Sequence, residues 1–161
     1  MFNVGDKIVY PMYGAGVIEE IEEKEIDGKT CLYYAMLMPI GNLKITVSVL
    51  KAEALGVRRI SSSEEVLKTI RTAGPIEMSS NWNERYKDNS ARIKTGELKK
   101  VVEVFKTLIL RERQRSLSSV EKKMLSNTKQ IIVSEIILSQ GIEKADAEKL
   151  LYDTTLTKAT A

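Results

Sequence analysis

The period of the hydrophobic pattern changes near residue 60, and this change constrains the fold more than any other feature of the chain. Before that point, short apolar runs with a period of two are separated by turn residues. Residues 43–49 alternate apolar and polar side chains, as a half-buried strand does. Asp27-Gly28 is typical of a hairpin, because both central residues of a type I′ turn need a positive φ. Four or five short strands in residues 1–60 predict a small, strongly bent sheet or an SH3-like barrel.

From residue 61 onward the apolar residues recur with the helical period of 3.6. A serine-rich junction at residues 61–63 opens a first helix, and Gly74-Pro75 ends it. Further helices are predicted to begin at residues 82, 98, 119 and about 143. The sequence therefore predicts an α+β protein, with a β domain in residues 1–60 and a bundle of four or five helices in residues 61–161.

Composition argues against several functional classes. The chain has no histidine, which is the commonest general acid or base and the commonest metal ligand. Cys31 is the one cysteine, and its strand-like surroundings predict a buried, inert thiol. Phosphate-binding glycine loops, CxxC pairs and nucleophile-elbow motifs are missing from the sequence. We therefore expect no catalytic residue, no cofactor, no metal site and no small-molecule substrate.

The same composition bears on location. No apolar run approaches the roughly 18 residues of a membrane span, and the N-terminus does not have the pattern of a signal peptide. A lone cysteine cannot form an internal disulfide, which favours a reducing compartment. We expect a cytoplasmic protein without membrane contact.

Positive charge is concentrated in one part of the chain. Residues 1–60 contain 7 Lys and Arg against 8 Asp and Glu, giving −1. Residues 85–129 contain 13 against 5, giving +8, although the whole chain carries only +3. An asymmetry of this kind indicates that one segment faces a polyanion while another faces something else.

The only tryptophan lies where a helix is predicted to begin. Asn81 is a suitable N-cap, because its side-chain oxygen can accept a free backbone N–H of the first turn. Trp82 then takes the first helical position, where a side chain points off the helix end and is difficult to bury. Arg85 and Lys87 follow within two turns. A flat ring beside cations and free N–H groups is suited to a phosphate backbone and a base stack. The alternative is that Trp82 covers a local hydrophobic core.

A second basic group accompanies a second predicted helix start. Residues 118–121 (SSVE) form a capping box, and Lys122 and Lys123 follow it directly. Three arginines, Arg111, Arg113 and Arg115, precede the same helix. Any one of these groups is typical of ordinary solvated surface. Together with the exposed aromatic candidate, they favour contact with nucleic acid.

The predicted β domain points to a different partner. It carries an acidic run in which five of seven residues are glutamate, namely Glu19, Glu20, Glu22, Glu23 and Glu25. Such a run is typical of a solvated edge strand that uses charge to prevent aggregation. It also argues against this domain lying on DNA. A small sheet with open edges is a common platform for protein–protein contact.

Three sequence motifs resemble those of the CarD/CdnL family of bacterial transcription regulators. They are residues 2–14 (FNVGDKIVYPMYG), residues 81–87 (NWNERYK) and residues 117–125 (LSSVEKKML). Their order and distances are similar to the family pattern, and the resemblance runs nearly from end to end. It implies a Tudor-like N-terminal domain that docks on the β subunit of RNA polymerase. It also implies a helical domain that contacts promoter DNA at the upstream edge of the melted bubble, near the −10 element.

The resemblance also implies roles for individual residues. Trp82 corresponds to the family's wedge tryptophan, and Arg85, Lys87 and Lys122 to its basic positions that contact the DNA backbone, with Lys123 beside the last. Glu84 occupies a position that is basic in the family. The polymerase-contacting positions correspond to Lys24 and Thr46, and Lys44 lies two residues from Thr46 on the same strand face.

The expected function is therefore that of an accessory transcription factor in the bacterial cytoplasm, associated with the nucleoid. It is expected to be a monomer with little DNA sequence preference and to stabilise the open promoter complex. Two other classes stay open at this point. A protein–protein adaptor of the transcription machinery would bind its partner without touching DNA, and a free-standing DNA-binding protein would bind DNA tightly alone.

Overall fold

The N-terminal part of the chain folds into a five-stranded antiparallel sheet. In the computed structural model, which describes the backbone of residues 1–160 and the side chains of residues 1–155, the strand order is β4-β3-β2-β1-β5. The strands are β1 (Lys7–Tyr10), β2 (Gly14–Ile26), β3 (Lys29–Leu37), β4 (Lys44–Ser48) and β5 (Arg58–Arg59). The predicted α+β class, with strands before helices, is confirmed.

The longest hairpin joins β2 to β3 through the turn predicted from the sequence. Asp27 and Gly28 have φ of 51° and 75°, as a type I′ turn requires. The register shifts between Ile18 and Glu20, and the resulting bulge changes which residues of β2 face outward. Residues 23–32 continue the hairpin as two strands, because β1 pairs with β2 only as far as Val17 and β4 pairs with β3 only from Tyr33 onward. Two strands without a covering layer leave this hairpin in solvent.

Two predictions about this region are wrong in detail. Residue 49 was expected to continue the alternating strand, but β4 ends at Ser48 and a short helix, α1 (Val49–Ala52), begins there. β4 and β5 lie at opposite edges of the sheet, so the chain between them must cross the sheet from one edge to the other. α1 lies in this connection, and its Ala52 is buried in the core of the sheet. Cys31 is half-exposed rather than buried, since it lies in the two-stranded part of the hairpin.

Five helices follow the sheet within the described residues. They are α2 (Ser63–Thr72), α3 (Trp82–Lys94), α4 (Leu98–Gln114), α5 (Ser119–Gln140) and α6 (Lys144–Thr160). Their starts agree with the predicted caps, because the side chains of Ser62, Asn81 and Ser118 each accept a backbone N–H of their own first turn. Gly141 ends α5 in the left-handed conformation (φ 66°), as a glycine at that position does.

A single aliphatic and aromatic core holds the helices together. Phe105 and Leu108 of α4 pack with Ile132 and Ile136 of α5, and all four side chains are fully buried. One cation lies in the same interior. The buried Lys106 Nζ donates to the backbone carbonyls of Ile70 and Ala73 at the end of α2, with a distance of 2.7 Å to the second. A positive charge suits a helix C-terminus, where carbonyl oxygens lack intrahelical partners.

The sheet rests directly on the middle of α5. The Ser134 hydroxyl accepts a hydrogen bond from the Ala15 backbone N–H at 2.8 Å. Gly14 lies against the same residue so closely that an added Cβ would be 2.7 Å from the Ser134 Oγ. The carboxylate of Glu135, only 1% exposed, accepts from the Arg58 guanidinium at 2.8 and 3.1 Å and from the Ser61 backbone N–H at 2.8 Å. We call these contacts the joint.

Candidate nucleic-acid interface

The first turn of α3 places Trp82 at the surface. The Asn81 side chain accepts the Glu84 backbone N–H at 3.1 Å, and the Glu84 carboxylate accepts from the Ser79 hydroxyl at 2.8 Å. These bonds fix the helix start one residue before the indole. Trp82 is 42% exposed and belongs to neither cluster of buried hydrophobic side chains. The predicted exposure is therefore confirmed, and the alternative in which Trp82 covers a core is wrong.

A second aromatic side chain accompanies the indole. The Tyr86 ring lies parallel to Trp82, with an interplanar angle of 5° and ring centroids 5.6 Å apart, and it is also 42% exposed. The two residues are four apart on α3, so they lie on the same face of the helix. The sequence prediction missed this partner, although its i, i+4 spacing from a tryptophan was the available signal. The surface therefore presents two stacked rings.

Arg85 lies inside the domain rather than on its surface. Its side chain is 5% exposed, and its Nε donates to the Glu121 carboxylate at 2.9 Å. Its Nη1 donates to the carbonyls of Ser79 and Ser80 at 3.1 and 3.3 Å. The expectation of an exposed cation at this position is wrong, because a glutamate 36 residues further along the chain has captured the guanidinium. Arg85 holds the segment before α3 in place.

Glu121 connects three helix ends through this contact. It is the third residue of α5, where its backbone N–H is accepted by Ser118 at 3.1 Å in the predicted capping box. The Nε of Arg111, near the end of α4, lies 3.5 Å from the same carboxylate. Burial raises the pKa of Glu121, but the hydrogen bond and charge of Arg85, the charge of Arg111 and the Ser118 hydroxyl together bring the pKa below its ordinary value. The carboxylate is therefore ionised at neutral pH.

The remaining basic candidates are exposed at the same end of the bundle. Lys87 lies on α3, and Lys122 and Lys123 follow Glu121 in the first turn of α5. Arg113 and Arg115 are exposed at the end of α4. None of these five side chains forms an ion pair with another described residue. We call them, together with the two stacked rings, the basic end. Two helix N-termini lie within it, and the positive end of a helix dipole favours anions.

The polymerase-contact candidates lie on the sheet, on one common face. In the β3–β4 register, Thr46 lies opposite Ala35 and Lys44 lies opposite Leu37. Lys24, on β2, lies opposite Cys31 of β3. All three candidates are exposed. The bulge in β2 brings Glu20 and Glu22 to this face as well. We call it the outer face of the sheet.

Lysines on the outer face are engaged with neighbouring groups. Lys44 pairs with Glu20 at 2.6 Å and Glu22 at 3.3 Å, and the Lys24 ammonium lies 4.8 Å from the centre of the Tyr33 ring. The hydrogen bond to Glu20, followed by that to Glu22, raises the pKa of Lys44, and the reciprocal bond lowers the pKa of Glu20. This surface therefore presents both signs of charge, and its lysines are paired, whereas within the described residues the lysines of the basic end are not.

A metal centre finds no support in the described residues, which contain no group of three or more His, Cys, Asp or Glu side chains placed to hold an ion. None of the described helices has both the length and the apolar content that a membrane crossing requires.

Comparison with known protein families assigns both parts of the chain. Residues 2–61 match the CarD-like/TRCF RID domain, and residues 65–152 match the CarD C-terminal domain. The chain belongs to the CarD family. Its sheet is accordingly Tudor-like. A relative from Bacillus subtilis (strain 168), named "Putative transcription factor YdeB", is 36% identical over 144 residues, covering 88% of this chain and 94% of its own length.

Membership of the CarD family fixes the role at a coarse level. The chain is a transcription regulator, and its RID domain implies an interaction with RNA polymerase. The matched domains are those of regulators rather than of enzymes.

Proposed function

We propose that this CarD-family protein binds the β subunit of RNA polymerase through the outer face of its sheet and stabilises the open promoter complex. In this proposal Trp82 contacts DNA at the upstream edge of the bubble, near the −10 element. The observation that carries the proposal is the half-exposed indole at the start of α3, at the same end of the bundle as the exposed Lys122 and Lys123. The sheet supplies the partner contact, and the helices supply the DNA contact.

The energetic reasoning starts from the melted bubble, which closes from its edges. A ring inserted at the fork occupies the space that a re-stacked base pair needs. Stacking of a base on an aromatic side chain contributes roughly 1–3 kcal/mol. Since about 1.4 kcal/mol corresponds to a tenfold change in an equilibrium constant, one indole is sufficient to shift the open–closed balance by roughly one to two decades.

The basic residues have a different role in this mechanism. Lys87, Lys122 and Lys123 contact phosphates, which positions the ring without reading sequence. Arg85 contributes from inside, by holding the start of α3 against α5 through Glu121. With so few phosphate contacts, the isolated protein binds DNA weakly, and tethering to the polymerase supplies the effective concentration. The protein therefore acts on promoters without strong sequence preference.

The experiment that tests the proposal measures the lifetime of open complexes with wild-type protein and with Trp82→Ala. We expect the lifetime to fall by at least several-fold toward that without the protein, while binding to the polymerase β subunit stays unchanged. Thr46→Lys on the outer face is the matched partner variant. It is expected to change binding to the polymerase β subunit, and to leave the lifetime as in wild type once the protein is added at a concentration that saturates the polymerase. Equal lifetimes with and without the indole would refute the wedge.

A second candidate function is that of an adaptor that binds the polymerase without touching DNA. Two observations favour it: Arg85 is buried inside the domain, and the acidic Glu84 lies beside Trp82. Both reduce the number of side chains that can bind DNA phosphates. DNA footprints distinguish the two. If the protein is an adaptor, Lys87→Glu does not change the protection of DNA at the upstream edge of the bubble. If it acts as a wedge, Lys87→Glu abolishes that protection.

A further inference from the structure

Tyr86 has no place in the mechanism so far, yet it makes the closest ring contact of the indole. The two rings are nearly parallel, with centroids 5.6 Å apart, so the stack is offset rather than directly face to face. Offset stacking is a favoured geometry for aromatic pairs. Among the described residues, no other ring stacks on Trp82.

Position in the helix explains why the indole needs support. Trp82 is the first residue of α3, so no preceding helical turn lies beneath its side chain. An exposed side chain at such a site samples several rotamers, and binding in one of them carries an entropic cost. Tyr86 lies one turn further into α3, where the backbone is fully helical. Its ring therefore provides a fixed surface against which the indole can rest.

We propose that Tyr86 is a positioning residue that holds the Trp82 indole in the orientation required at the DNA fork. This inference rests on the proposed function, because it assigns to Tyr86 the pre-organisation of the wedge and not a DNA contact of its own. The Tyr86 ring orients the indole by stacking against it, and the Tyr86 hydroxyl does not take part. The same face of the indole that rests on Tyr86 is shielded, so bases stack on the opposite face.

The chain offers a direct readout, because Trp82 is its only tryptophan. Time-resolved fluorescence anisotropy of the free protein measures the local rotation of the indole without polymerase or DNA. Tyr86→Ala removes the supporting ring, and Tyr86→Phe keeps the ring while removing the hydroxyl. We expect Tyr86→Ala to increase the amplitude of the fast local rotation about twofold, and Tyr86→Phe to match wild type. Thermal unfolding of both variants checks that the bundle is intact, since the ring is half-exposed.

The same variants are then assayed for open-complex lifetime beside Trp82→Ala. We expect Tyr86→Ala to shorten the lifetime two- to tenfold and Tyr86→Phe to restore it. Unchanged indole rotation in Tyr86→Ala overturns the inference without reference to transcription. A wild-type lifetime for Tyr86→Ala, with a short one for Trp82→Ala, overturns the positioning role while the wedge stands. Loss of lifetime in Tyr86→Phe overturns the stacking explanation. No effect of Trp82→Ala overturns the proposed function, and the positioning role with it.

Discussion

Substitution of Glu121 by alanine is expected to cause a large loss in the stability of the helical domain. Glu121 is 6% exposed and Arg85 is 5% exposed, with 2.9 Å between Oε2 and Nε. Removing one partner of a buried ion pair leaves the other charge uncompensated, which costs about 3–5 kcal/mol. Arg111, 3.5 Å from the same carboxylate, would lose its counter-charge as well. We expect Glu121→Ala to lower the free energy of unfolding by about 3–5 kcal/mol.

Urea denaturation followed by circular dichroism measures this loss as a shift of the midpoint at constant m-value. Glu148 provides a matched control, since it also pairs with two cations, Lys129 at 3.5 Å and Lys144 at 3.8 Å, but at the surface of α6. Exposed pairs contribute about 0–1 kcal/mol, so Glu148→Ala should change little. The double variant Arg85→Ala, Glu121→Ala should lose less than the sum of the single losses. A midpoint for Glu121→Ala equal to that of the control would refute the reasoning.

The pH dependence supplies an independent check on Glu121. Its folded-state pKa is lowered, since the hydrogen bond and charges of the two arginines outweigh the effect of burial. A group with a depressed folded-state pKa contributes stability above its unfolded pKa, about 4.3 for glutamate, and loses it as the pH falls through the folded value. The difference in free energy of unfolding between wild type and Glu121→Gln should therefore reach its full value above about pH 5 and decrease as the pH falls further. An advantage that does not change down to about pH 2 would contradict the ionised pair.

Three further outcomes follow from other contacts. Lys106→Met should lower the free energy of unfolding by roughly 1.5–3 kcal/mol, because it removes charged hydrogen bonds to the end of α2, and thermal or urea unfolding measures the loss. Gly14→Ala should destabilise by about 1–3 kcal/mol, since φ is +109° and the new Cβ would be 2.7 Å from the Ser134 Oγ; equal stability would argue against the close approach. Lys122→Glu should weaken DNA contact at every promoter alike and reduce the salt slope by about 0.9, and a loss confined to some promoters would indicate base readout instead.

Local features of this protein were accessible from its sequence. The type I′ turn at Asp27-Gly28 and the caps at Asn81 and Ser118 were predicted correctly. Each depends on residues within four positions of one another, so the relevant physics is contained in a short stretch. The exposure of Trp82 follows from the same local reasoning, since the first residue of a helix has no turn beneath it.

Long-range pairing was not accessible in this way. Arg85 was expected at the surface because it follows Trp82 in the first turns of a predicted helix, and its partner Glu121 was interpreted only as a capping residue. The two lie 36 positions apart, and a single sequence contains no distance information of that kind. A weaker signal was present elsewhere. Glu135 is a lone charge within a run of buried residues, and such a charge requires a partner, here Arg58 at a separation of 77 residues.

The joint has a consequence for where the protein can act. Ser134 and Glu135, which anchor the sheet, belong to the same helix as Lys122, twelve residues earlier. At 1.5 Å per residue, about 18 Å of continuous α-helix separates the two points. Under the proposed function, this segment of α5 keeps the distance between the polymerase-bound sheet and the edge of the melted bubble constant. The distance is then set by the protein and does not depend on the base sequence. Promoters would then differ in their response according to how readily their bubbles close.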